Sequence, residues 1–316
     1  MEVDEVLTTH MEGLARLRRP IMVVALTGWF DASGAAIGAL DWLLRERVAP
    51  VVATIDSDPF YDFTQERPEV WMDEDEVRHV KWPTNEFRIA RFPGGARDLV
   101  VLTGVEPHVR WSTYCECITT MATRMGCDVV VTIGASADAV PHTRIPPVVG
   151  SSTNDGLVRR LGLSRPQYQG ITGVIGVLQE RLAKLEIPAI SLRVGVPHYL
   201  GNAQHPKSSA SLLRHLEHVL GVPTGHGDMQ PDIERWQSLH DEAVAEDSQA
   251  ASYVAMLERQ FDQRAEANLP TGDDLAAQFE AFLRDQDRDQ DRDQDRDQDR
   301  DQDRDQDEGD NGPRAV

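Results

Sequence analysis

The chain has 316 residues, 40% of them hydrophobic and 27% charged, with a formal net charge of −21. At about 100–200 residues per domain this allows one large domain or two small ones, and the negative charge excludes generic binding to a nucleic-acid surface. No apolar stretch reaches the roughly 18–20 residues that span a bilayer, and the acidic opening MEVDEVLTTH lacks the basic and apolar regions of a secretory signal. A cytoplasmic protein with no nucleic-acid or membrane partner is expected.

The first strand-like run is IMVVAL (21–26). It arrives at LTGWFDASGAA (26–36), a sharp turn into a helical pattern over 32–47. The turn is not a P-loop: Gly28 to Gly34 is one residue too long, and Ala35-Ala36 stand where Lys-[Ser/Thr] is needed. It is not G-x-G-x-x-G either. Asp31 or Ser33 is placed to cap the helix, and a carboxylate there opposes an anionic ligand. The other reading of Gly28, Trp29, Phe30 and Asp31 is contact with a ligand or partner. VVATI (51–55) is the next strand. PFYDF (59–63) follows, and two readings stand for Phe60, Tyr61 and Phe63: an aromatic loop buried between copies of the chain, or rings packed inside their own chain.

Strands are expected at 86–92, 98–104, 128–134 and 189–194, with helices at 111–126 and 205–221. A further helix is expected from an N-cap at Thr172 to just before Pro188. Gly126 and Gly221 are helix stops. Continuous apolar runs suit strands covered on both faces, and their interleaving with helices gives an α/β layered sheet. IGASAD (133–138) has Asp138 where a nucleophile elbow has its second Gly. His215 and His218 lie i,i+3, not in H-E-x-x-H spacing. Cys115, Cys117 and Cys127 are odd in number and lack a second pair, so they read as reduced, buried thiols. No catalytic residue, metal or cofactor is expected.

In open α/β sheets, ligands sit at the C-terminal ends of strands. The candidate ligand or partner site is therefore Gly28, Trp29, Phe30, Asp31, Gly104, Glu106, Gly134, Ser136, Thr172, Gly173, His198 and Tyr199. Beyond Gly221 the strand signal stops, and helices are expected at 228–246, 248–267 and 273–283. From Arg284 the chain repeats D-Q-D-R, with fourteen acidic and seven basic residues. Like charges at i,i+4 and the lack of apolar residues predict a disordered acidic tail. The expected division is 1–222 for the body, 223–283 for a helical extension and 284–316 for the tail.

GWFDASGAA, FYDFTQERPEV (60–70), LTGVEPHVRW (102–111), YQGITGVIGVL (168–178) and VGVPHYLGNAQHPKSSASLLRHL (194–216) together resemble the PAC2 family. This is the family of proteasome assembly chaperone 2 and its archaeal and actinobacterial relatives. The resemblance runs in order over about residues 21–221 and is closest to the actinobacterial branch, where a helical C-terminal extension also occurs. It implies a three-layer α/β/α body similar to nucleoside phosphorylases, commonly a homotrimer, with no known reaction. Eukaryotic members dock on proteasome subunits through a hydrophobic-Tyr-X tail; this sequence ends in GPRAV, with Ala315 in the Tyr position. Two functions stand: a non-enzymatic assembly or interaction protein with proteasome subunits as partners, or a binder or enzyme for a nucleoside-like metabolite.

Overall fold

The computed structural model describes residues 1–10, 15–201 and 204–267. In chain order the elements are α1 (Val3–Val6), β1 (Leu7–Thr9), β2 (Ile21–Thr27), α2 (Ala35–Leu44), β3 (Val51–Ile55), β4 (Glu69–Met72), β5 (Arg78–Lys81), β6 (Asn85–Ala90) and β7 (Leu99–Val105). Then come α3 (Trp111–Arg124), β8 (Val129–Asp138), β9 (Val148–Ser151), α4 (Asp155–Leu161), α5 (Val174–Lys184), β10 (Ala189–Pro197), α6 (Pro206–Leu220), α7 (Gln230–Ala245) and α8 (Ser248–Ala267).

Eight strands form one sheet in the order β1-β3-β6-β7-β2-β8-β10-β9. The four middle strands, β7, β2, β8 and β10, are parallel. The flanking strands β6, β3, β1 and β9 are antiparallel. The apolar run of β2 explains its central place, since a strand's side chains alternate between two faces. Met22, Val24 and Leu26 enter one core with Ile118 and Met121 of α3 and Leu178 and Leu182 of α5. Ile21, Val23 and Ala25 enter the other with Leu40 of α2 and Leu213 and Leu216 of α6. Two helical layers thus sandwich the sheet, as expected for the α/β/α body.

Helix ends follow local chemistry. Gly221 closes α6 at φ +66°, and Pro206 opens it behind His205, whose Nδ1 accepts from Ser208 N at 3.0 Å. For α5 the structure moves the expected cap by one residue: Gly173, not Thr172, is the N-cap, and it has no side chain with which to cap the helix. The hairpin β4–β5 stands apart from the main sheet. It exposes Val70, Trp71, Met72 and Val80.

Residues 1–259 form one compact unit, so α7 and the first part of α8 lie in the same unit as the sheet. The expected helix at 273–283 and the repeat at 284–316 lie outside the described residues.

Candidate functional site

The turn after β2 is built by long-range contacts. Gly28 takes φ +134°, and a Cβ there would stand 2.9 Å from both the Cβ and Oε2 of Glu106. Glu106 follows β7 and accepts from Trp29 N at 3.0 Å through Oε2. Its Oε1 accepts from Val174 N at 3.3 Å, the first N–H of α5. One carboxylate therefore ties the β2 turn to a helix N-terminus, where negative charge is favoured. Trp29 is left 73% exposed. Its ring stands beside Gly173, where a Cβ would lie 3.3 Å from Trp29 Cε3. Phe30 turns inward and covers Gly134, where a Cβ would come within 2.0 Å of the ring.

Asp31 caps α2. Its Oδ1 accepts from Ala36 N at 2.7 Å and its Oδ2 from Ile37 N at 3.3 Å. Burial pushes its carboxyl up to about 6, against the downward pull of the Ala36 and Ile37 N–H groups. The capping reading of the motif is the one the geometry takes. Ser33 instead donates to Gly201 O at 3.1 Å.

Between the ends of β2 and β7 lies an open cleft of about 460 Å3, within the usual size range of ligand pockets. Its lining includes Trp29, Glu66, Glu106, His108, Trp111 and Ile171. His108 Nδ1 accepts from Asp62 N at 3.0 Å, and Trp111 Nε1 donates to Pro107 O at 2.6 Å. Beneath it, Gly104 gives way to the buried Asn85, whose Oδ1 would sit 1.8 Å from a Cβ at that position. Asn85 Oδ1 accepts from Tyr114 Oη at 2.8 Å and Val105 N at 3.1 Å, and its Nδ2 donates to Tyr61 Oη. Tyr61 Oη donates in turn to Val105 O at 2.6 Å, and burial pushes this phenol up to about 12.

The rings at 60 and 61 are thus inside their own chain. Phe60 is fully buried and meets Tyr114 edge to face at 5.5 Å. Phe63 is half-buried against Trp82 at 4.9 Å. The exposed-loop reason for placing Phe60 and Tyr61 between copies is therefore corrected: intrachain packing already covers them.

The ends of β8 and β10 are organised differently. His198 and Tyr199 meet α8 at Tyr253, and Tyr199 is linked to α7 through His142. His142 Nε2 contacts Asp241 Oδ1 of α7 at 3.0 Å, and its Nδ1 contacts Tyr199 Oη at 2.6 Å. His198 Nδ1 contacts Asp138 O and its Nε2 contacts Tyr253 Oη of α8, both at 2.9 Å. The buried Lys207 donates to His142 O at 2.6 Å and to Gln237 Oε1 at 2.7 Å. Thr143 donates to Glu258 Oε1 at 2.5 Å. Burial lowers the His142 imidazole, with Asp241 opposing, and lowers the Lys207 ammonium. Burial also pushes His205 down to about 3, with Lys207 adding to it. His205 meets Trp236 edge to face at 4.3 Å.

The twelve strand-end residues therefore fall into two neighbourhoods. Gly28, Trp29, Glu106, Thr172 and Gly173 line the cleft, with Gly104 below it. His198 and Tyr199 lie under α7 and α8, while Phe30, Asp31 and Gly134 hold the backbone between. Ser136 stays inside β8, which runs on to Asp138 without turning into a helix. Glu66 of the cleft, and Trp236, Asp241 and Tyr253 of the helices, are additions that the strand-end argument does not reach; His108 and Trp111 of the cleft are further additions to the twelve. VEPHVRW (105–111), which directly follows a strand, carried the signal for His108 and Trp111. The thiols of Cys115 and Cys127 are pushed up to about 12 and that of Cys117 to about 11, in each case chiefly by burial.

The PAC2 family model matches residues 25–244, from the end of β2 to α7. The chain belongs to the PAC2 family. A PAC2 family protein from Streptomyces avermitilis is 38% identical, with 74% of this chain and 99% of that one covered and a TM-score of 0.69. A proteasome-assembly chaperone homologue from Mycobacterium tuberculosis is 35% identical, with 74% and 99% covered and a TM-score of 0.68. An archaeal proteasome activator from Pyrococcus furiosus, 17% identical over 75% of this chain and 97% of its own, shares the fold at a TM-score of 0.59. No match was found among curated proteins. The PAC2 match spans both strand-end neighbourhoods, including α7 as far as Val244.

Proposed function

We propose that this PAC2 protein is a non-enzymatic assembly factor that binds proteasome subunits before or during their assembly. The observation that carries the reading is its 35% identity to a proteasome-assembly chaperone homologue, along nearly that protein's full length. The site's chemistry supports it. Glu106 is committed to two backbone N–H groups, and His142 uses both ring nitrogens on Tyr199 and Asp241. These groups hold structure together. Exposed Trp29 and Ile171, with Trp71, Met72 and Val80 on the β4–β5 hairpin, supply apolar surface suited to a protein partner.

The nucleoside-like alternative is less well served. The N-terminus of α5 is the natural place for a phosphate, and the Glu106 carboxylate already occupies its first N–H. The proposal includes a cytoplasmic location and self-association as a homotrimer through the α/β body.

Co-expression with the α and β subunits of the same organism's proteasome tests the role. Native mass spectrometry should find the chain bound to unassembled α subunits and released from finished particles. A chain that binds neither subunit and leaves the assembly rate unchanged refutes the proposal. The same measurement on the chain alone gives the oligomer: a single monomeric species at micromolar concentration removes the trimer.

A further inference from the structure

The formally charged groups of the open cleft have one sign; its other polar side chains are Thr27, Thr172 and His108, whose Nδ1 accepts from Asp62 N. Glu66 and Glu106 line it, and no lysine or arginine among the described residues does. Within that same set neither carboxylate has a lysine or arginine partner, and Glu106 accepts one backbone N–H at each oxygen. The walls are Trp29 and Trp111, whose ring faces carry the negative end of the aromatic quadrupole. Trp111 has its indole N–H turned to Pro107 O, so that donor is spent. Ile171, 87% exposed, adds an apolar edge. Carboxylates and indole faces around an apolar floor favour a cation on an aliphatic stem, which gains ion pairing, cation–π attraction and burial of its methylenes together. A phosphate would meet two carboxylates and no lysine or arginine among the described residues.

We propose that this cleft seats a basic side chain, an arginine or lysine projecting from an exposed segment of a protein partner. Its charged head lies against Glu66 and Glu106 and its stem against Trp29 and Trp111. The inference rests on the assembly-factor reading only for the source of the cation. Charge complementarity selects the occupant: the aromatic walls alone would accept any apolar group, and Glu66, which makes no ion pair among the described residues, beside Glu106, whose oxygens each accept one backbone N–H and keep a further lone pair, makes a cation the better one. Planar guanidinium stacks on indole and pairs with carboxylate at once, which favours arginine.

The test uses the full chain and the blocked tripeptide Gly-Arg-Gly, acetylated and amidated. Its citrulline counterpart keeps the shape and loses the charge. Binding is read from the indole N–H resonance of Trp29, assigned by its loss in Trp29→Phe. The arginine peptide should move that resonance and bind about tenfold more tightly than the citrulline peptide, a difference of about 1.4 kcal/mol. Glu66→Gln, on a residue whose side chain makes no ion pair, should erase most of that preference, and added salt should weaken it. Equal binding of the citrulline peptide overturns the proposal, as does an unmoved Trp29 resonance or a shift produced by inorganic phosphate. Free arginine binding as tightly as the peptide overturns the protein source. The co-expression experiment with Glu66→Gln separates the two readings. Undiminished capture of proteasome subunits by the variant sinks the cleft proposal and leaves the assembly role. Peptide binding without any capture sinks the assembly role and leaves the cleft.

Discussion

Asp31 offers a stability measurement with a definite sign. The residue is 6% exposed, and burial raises its carboxyl to about 6, against about 3.9 in an unfolded chain. The folded state therefore holds this proton more tightly than the unfolded one between those values. The stability it contributes is fully present below about pH 4 and is lost as pH rises through about 6. A shift of about two units at 1.36 kcal/mol each gives about 3 kcal/mol over that window. The two N–H groups it accepts from are already included in the value, so they do not restore the loss. Asp31→Asn removes the titration and keeps an acceptor for Ala36 N. Thermal melts of both proteins in matched buffers from about pH 4 to pH 7 isolate the group, because every other carboxylate cancels in the difference. Relative to the variant, the wild type should lose several degrees as pH rises, at about 2–4 °C per kcal/mol for a body of this size. A difference that stays flat, or grows in favour of the wild type toward pH 7, would show that the Asp31 carboxylate is not desolvated as described.

Gly134→Ala forces the Phe30 ring away from a Cβ that would sit 2.0 Å from it; overpacking of this kind costs about 1–3 kcal/mol, read as a lowered melting temperature, and an unchanged melt would mean that Phe30 repacks freely. Asn85→Ala strands the Tyr114 hydroxyl and the Val105 N–H, at about 1–3 kcal/mol for each unsatisfied group, so urea unfolding should show a loss of at least about 2 kcal/mol. Asp241→Ala removes the α7 partner of His142; hydrogen exchange should speed about fivefold, or about 1 kcal/mol, in α7 and little in β2. Uniform acceleration across the sheet would mean that α7 opens only with global unfolding.

The elements legible in the sequence are those whose cause is local. Ile21–Leu26 is one uninterrupted apolar run and became a central strand buried on both faces. Gly221 marks its helix end because the αL position is open to glycine at no steric cost, and the Asp31 cap lies five residues from the N–H it accepts. The rest depended on distant partners. Glu106 finds Val174 across 68 residues, and His142 finds Asp241 across 99. Nothing near Phe60 in sequence reveals that Tyr114 covers it. The hairpin β4–β5 is silent in the sequence because all but one of its residues are exposed, so no alternation of apolar and polar positions marks its strands. The strand β9 is four residues at a sheet edge, too short to carry a periodic signal.

The row of strand ends, a single candidate site in sequence, is two surfaces in the fold. α7 contributes no fully buried residue of its own; it is seated by the half-buried Ile233 and Trp236, which pack against the core and His205, together with the polar contacts of His142, Lys207 and their partners. α8 adds the buried Val254 and Leu257. Hydrogen bonds of that kind contribute about 1 kcal/mol each because water offers the helix similar partners when it leaves. The cover is therefore easier to open than the sheet beneath, whose apolar cores must unpack to separate. Over β2 and β7 there is no comparable cover among the described residues, and Trp29 stands exposed beside its cleft. A partner arriving at this end of the sheet meets the aromatic, acidic cleft without any prior rearrangement, whereas the β8–β10 half must first lose its helices. Under the proposed assembly role, that difference in accessibility favours the β2–β7 half as the place where recognition begins.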